Sequence, residues 1–130
     1  MKIFRRIGAF VAICALQAAT AEAGALQCST YTGGSYCQYD GKVSQAYINA
    51  YKEVILYFDT TFSTSLPTSV GITGVTVNNA AKYNMTANPD FGKSLFAALL
   101  TAQARGATIS VQFSGVVDGY LAIDRIWVNQ

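Results

Sequence analysis

The chain has no histidine. That removes the side chain that most often serves as a general base near neutral pH, and the commonest protein metal ligand. Cysteine is scarce, with three residues at positions 14, 28 and 37, and the spacing of the last two is not the C-x-x-C of a redox or zinc site. Neither G-x-S-x-G nor S-x-x-K occurs, so the common serine nucleophile signatures are absent too. The residues therefore predict no metal, no cofactor and no enzymatic activity. Charge is also sparse, at 12% of residues.

What charge there is sits unevenly. Met1 to Arg6 carries Lys2, Arg5 and Arg6, an apolar run extends from Ile7 through Ala19, and Ala21-Glu22-Ala23 places small residues where a signal peptidase reads them. The apolar run is well short of the roughly 20 residues that a spanning helix needs. Residues 1–23 are expected to be a bacterial Sec-type leader cut after Ala23, which makes the protein secreted or periplasmic, with no membrane span in the mature chain. Val11-Ala12-Ile13-Cys14 has the outline of a lipoprotein box, but isoleucine stands where that signal wants a small residue.

Export changes the composition. The leader takes three of the nine basic residues and one of the seven acidic ones, leaving six of each and a net charge near zero. The remaining Lys42, Lys52, Lys82, Lys93, Arg105 and Arg125 are scattered singly, so no basic face for nucleic acid is built. Cys14 leaves with the leader. Cys28 and Cys37 are then the one pair in an oxidising compartment, and a disulfide between them is expected to contribute about 2.5 kcal/mol to a domain with a modest core.

Residues 24–130 read as one domain without linker or repeat. Around the cysteines, Cys28 to Gly41 reads as a stapled, tyrosine-rich loop. Lys42–Asn49 and Glu53–Asp59 predict a pair of strands, with Val54, Leu56 and Phe58 on one side. Val70–Val77 predicts a third strand, with Gly74 at a bulge or bend, and Asn78–Asn88 a connector. The period then changes to that of a helix. Asn88 is a cap, Pro89 and Asp90 suit its first turn, and Phe91, Leu95, Ala98, Leu99 and Ala102 form one face. Arg105 and Gly106 end the helix. Thr108–Phe113 and Tyr120–Asn129 complete the order β-β-β-α-β-β. The expected fold is β-rich: an OB-like five-stranded barrel with one capping helix, which leaves few open sheet edges. A flat α+β sheet with the helix on one face is the alternative.

The segments DGKVSQAYINAYKEVILYFD, FGKSLFAALLTAQARGATISVQF and GYLAIDRIWV, in that succession, resemble the secreted cell-binding B subunits of pertussis-like AB5 toxins, of the subtilase cytotoxin and typhoid toxin type. The resemblance lies in element order, size and leader, and in the helix-Gly-strand junction. It implies an OB barrel, a homo-oligomer of five copies, binding to host-cell glycans and a separate catalytic A subunit. In that family a tyrosine and a serine at the start of the first strand receive a sialic acid. The comparable stretch here, Tyr36-Cys37-Gln38-Tyr39-Asp40, lacks the serine.

The candidate glycan-binding residues are Tyr36, Gln38, Tyr39 and Asp40. Tyrosine faces suit sugar C–H groups, and the amide and carboxylate suit sugar hydroxyls. The same tyrosines have a second reading, in which they pack the loop against the barrel. Asp118 and Asp124 read as turn and surface carboxylates, the latter paired with Arg125 within the chain or across a subunit boundary. Trp127 reads as core or subunit contact. The competing functional class is an exported protein-interaction or inhibitor domain that binds no sugar.

Overall fold

The computed structural model describes residues 24–130; the expected leader, 1–23, lies outside them. The elements are β1 (Ala25–Tyr31), β2 (Gly34–Ile48), β3 (Glu53–Phe58), α1 (Ser65–Ser69), β4 (Ala80–Asn84), α2 (Pro89–Arg105), β5 (Thr108–Val117) and β6 (Tyr120–Val128). The architecture is β-rich with one main helix, as expected. Six strands make one sheet, and hydrogen bonding runs in a closed circuit from β2 through β3, β4, β6 and β5 back to β2. All pairs are antiparallel except β4 with β6. The sixth strand, β1, lies outside the circuit and pairs with β2 alone among the described residues.

The supposed loop at Cys28–Gly41 is a hairpin. β1 and β2 meet through Thr32-Gly33, with Gly33 at φ 105°, and Cys28 faces its disulfide partner Cys37 directly across the ladder. Alternation along β2 sends Cys37, Tyr39, Gly41 and Val43 inward, and all four are buried. The register then shifts between Val43 and Gln45, so Ser44 is an extra residue at a bulge. Cys37–Lys42 pair with β5, whereas Val43 and, beyond the bulge, Gln45–Ile48 pair with β3. One bent strand thus closes the circuit.

The helix follows its sequence signals. The Asn88 side chain accepts the Phe91 amide at 3.0 Å, Pro89 opens the first turn, and Gly106 ends the helix in the left-handed region. Leu95, Leu99 and Ala102 are fully buried against the strands. Each leucine so buried stabilises by about 1.5–3 kcal/mol. Phe91 is only half-buried, its ring edge-on to Tyr83 at 4.8 Å.

Two expectations need correction. Val70–Val77 is not a strand: Gly71 and Gly74 both take positive φ, which breaks the extended run, while Ile72 and Val75 still reach the core. The third strand of the circuit is instead Ala80–Asn84, within the expected connector. Its sequence, AAKYN, has neither alternation nor strong β-propensity, and it is held as a strand by β3 on one side and β6 on the other. The Ser/Thr-rich connection around Pro67 contains the short helix α1.

β4 also carries a charged anchor. Lys82 is 6% exposed, and its ammonium donates to Glu53 Oε1 at 2.8 Å and to Asp118 Oδ2 at 2.7 Å, 5.3 Å from the centre of the Tyr120 ring. Asp118 and Gly119, both at positive φ, form the two-residue turn between β5 and β6 that Asp-Gly favours. Lys82 therefore ties that turn to β3. Hydrogen bonds from the Asn49 amide and then Lys82 hold the Glu53 carboxyl below the usual glutamate range. Burial pulls the Lys82 ammonium down, but the Asp118 and Glu53 bonds outweigh it and leave it raised.

Two outcomes are expected. Reducing the Cys28–Cys37 disulfide lowers the unfolding free energy by about 2.5 kcal/mol, read as a shift in the denaturant midpoint. Because the folded Glu53 value is depressed, its contribution is present above about pH 4.3 and is lost as pH falls through the folded value. The melting-temperature gap between wild type and Glu53→Gln should therefore be widest near neutrality and close in acid. A gap that stays constant from pH 7 to pH 3 would count against the anchor.

Candidate functional site

The parity of β2 divides the four candidate residues. Tyr36, Gln38 and Asp40 point outward, whereas Tyr39 points into the core and is fully buried. Its ring stacks on Phe58 at 4.0 Å between centres, and its hydroxyl donates to Asp59 Oδ1. Burial first, then the Asp59 bond, raise the phenol well above its usual value. Tyr39 has no free face for a sugar, so the packing reading is correct for this residue. The alternation Cys37, Tyr39, Gly41, Val43 was the signal that separates it from its neighbours.

The three outward residues belong to a polar surface that crosses four strands. In register, Gln27, Gln38, Gln112 and Arg125 form one row, and Ala25, Asp40, Ser110 and Trp127 form the next. Gln38 Nε2 donates to both Asp40 carboxylate oxygens at 3.1 Å, and Gln112 Nε2 donates to Gln38 Oε1 at 3.0 Å. Ser110 Oγ donates to Asp40 and accepts from Asn129 Nδ2 at 3.1 Å. Gln38 and Asp40 thus spend much of their hydrogen-bonding capacity on one another and on β5.

Beside this network is a depression of about 300 Å³, lined by Tyr31, Ser35, Tyr36, Gln112, Ser114, Asp124 and Arg125. Of the four candidates only Tyr36 lines it. The Tyr31 and Tyr36 rings lie 6.3 Å apart at 47°, a bent aromatic wall, and Tyr31 is 60% exposed. Ser114 and Arg125 also line it, and Arg125 Nε donates to Asp124 Oδ2 at 2.8 Å. The Asp124–Arg125 pair is within the chain. Trp127 lies on the same outer surface and is 44% exposed, so it is not core. Sequence reading left out Tyr31 and Ser35, although they lie in the same hairpin as Tyr36, and missed Ser114, which reaches the depression only through the register of β5 against β2.

The arrangement suits a polyhydroxylated ligand. Flat rings offer C–H contact, and hydroxyl, amide and guanidinium groups offer directional bonds. Catalysis of glycoside cleavage ordinarily needs two carboxyl groups flanking the bond. Asp124 is the one carboxylate that lines the depression, and it is held by Arg125. Among the described residues no group of three or more His, Cys, Asp or Glu is placed to hold a metal ion, and no helix is long and apolar enough to cross a membrane.

The buried position of Tyr39 makes a clear contrast. Tyr39→Ala should cost about 3–5 kcal/mol of stability, as large-to-small aromatic changes do. Tyr39→Phe, which loses only the Asp59 bond, should cost about 1 kcal/mol. Equal melting temperatures for wild type and Tyr39→Ala would return this ring to the surface. No family model, curated protein or solved structure matches the chain, so the geometry of this surface carries the functional reading.

Proposed function

We propose that the protein is an exported, non-catalytic glycan-binding module of the cell-binding B-subunit kind, which assembles as a homo-oligomer, a pentamer on the resemblance, and carries a separate catalytic chain to a host-cell glycan. The observation that supports this best is the depression lined by Tyr31, Tyr36, Ser114 and Arg125. Aromatic and hydroxyl-bonding groups are what a sugar needs, and a second carboxylate for hydrolysis is not among its lining residues. The Gln38–Asp40–Ser110 network supports the reading by tying β2 to β5 beside the depression, since groups already held in place incur less ordering cost on binding.

A second reading, an exported protein-interaction or inhibitor domain, draws on the exposed Trp127 and on β6, which beyond Ala122 pairs with β5 alone among the described residues. Such a strand edge can accept a strand from another chain.

Glycan-array binding by the processed protein, with its particle mass from light scattering, separates the two. The lectin reading expects sugar binding by an oligomer, and Tyr36→Ala should weaken that binding about 5- to 30-fold, or about 1–2 kcal/mol, without lowering the melting temperature. A monomer that binds no glycan leaves the second reading in possession.

A further inference from the structure

Gly24 sits in a socket that admits no side chain. A β-carbon built there would fall 1.8 Å from the Tyr39 hydroxyl oxygen and 2.7 Å from Asp59 Oδ1. On the other side, a β-carbon on Gly41 would fall 2.8 Å from the Gly24 Cα. The Gly24 nitrogen donates to Thr60 Oγ1 at 3.1 Å. Since nitrogen and β-carbon share the same Cα, bond geometry places that nitrogen within about 5 Å of the Asp59 carboxylate. Asp59 accepts the Tyr39 hydroxyl but forms no ion pair with a lysine or arginine among the described residues. A lone carboxylate therefore waits beside the residue that follows Ala-Glu-Ala.

We infer that cleavage of the Ala23–Gly24 bond creates an α-ammonium group that pairs with Asp59 and Thr60, so that processing locks the start of β1 onto the end of β3. The inference rests on the export reading. In the step, an endopeptidase of the signal-peptidase class adds water across the bond: the C–N bond breaks, Ala23 departs as a carboxylate carrying the water oxygen, and the Gly24 nitrogen takes up both water protons to become an ammonium. Before cleavage that nitrogen is an amide with one N–H, which Thr60 already accepts. Afterwards it has three donors and, with an unperturbed α-amino pKa of about 7.7–8.0, is mostly charged at neutral pH. An opposite charge within about 4–6 Å favours that charged form. Only glycine brings the nitrogen this close, because any β-carbon would strike Tyr39. The new terminus thereby gains a partner that the precursor lacks.

The test begins with the intact mass and N-terminal sequence of the exported protein, which should start at Gly24. The free-amine chain is then compared with its Nα-acetylated form, in wild type and in Asp59→Asn, a substitution that keeps an acceptor for Tyr39. Acetylation should lower the melting temperature by about 3 °C or more in wild type and leave Asp59→Asn unmoved. An equal effect in both backgrounds, or none in either, overturns the pairing while leaving the export reading intact. Retention of residues 1–23 in the exported protein, or a start at another residue, overturns both the processing step and its lock.

Discussion

The 15 residues of β2 have to satisfy three other strands, and the exchange of partners between Lys42 and Val43, next to the bulge at Ser44, is what lets them do so. An unbroken strand of that length would leave much of one edge unpaired or would splay β3 from β5. The bulge bends β2 so that one half joins β5 and the other joins β3, and the circuit closes without leaving either half unpaired. Gly41, just before the bend, has no room for a side chain because the Tyr39 ring and the Gly24 backbone occupy that space. The disulfide acts on the same strand from outside the circuit: it fixes β1 in register against the half of β2 that faces β5. Hairpin, bend and ring are thus parts of one solution to the pairing of a single strand.

How much of this the sequence made legible depends on whether each element carries its own signal. The helix did: Asn88, Pro89 and Gly106 are local chemical stops, and Leu95, Leu99 and Ala102 repeat at the helical period, so its bounds follow from the residues themselves. β3, β5 and β6 were legible from alternation. β4 was not, because AAKYN becomes a strand only when two partners are already in place. Val70–Val77 misled for the opposite reason. Its β-branched residues advertise a strand, but two glycines at positive φ give the chain local turns instead, and burial of Ile72 and Val75 satisfies the side chains without a ladder.

The candidate surface was legible in part, and again parity explains the division. Tyr36, Gln38 and Asp40 do share an outer face. Tyr39 was grouped with them because the segment was read as a loop, where neighbours in sequence can point anywhere; in a strand they cannot. Once the segment is a strand, Tyr39 must take the face opposite to Gln38 and Asp40. Gln112, Ser114, Asp124 and Arg125 join Tyr31 and Tyr36 only through the register of β2, β5 and β6, and no spacing along the chain announces them. The Lys82 anchor was hidden in the same way, since nothing in sequence joins Lys82 to Glu53 and Asp118.

The two faces of β2 therefore divide the work of the molecule. One face, through Tyr39 and Phe58, holds the core and reaches Asp59 and the start of the described chain; the other, through Tyr36, Gln38 and Asp40, builds the polar surface. Because strand parity has a period of two, a slip of one residue at the β1–β2 hairpin would turn β1 over against β2, carrying Leu26 out of the core and Tyr31 away from the face of Tyr36, while β3 and β5 still hold the faces of β2. The Cys28–Cys37 disulfide forbids that slip, since it joins residues that are opposite one another in only one register. It follows that the staple matters to the surface as much as to stability: the placement of Tyr31 beside Tyr36 is fixed by a covalent bond, whereas Tyr39 is kept inside, and Tyr36 near Ser114, by the pairing of β2 with β5.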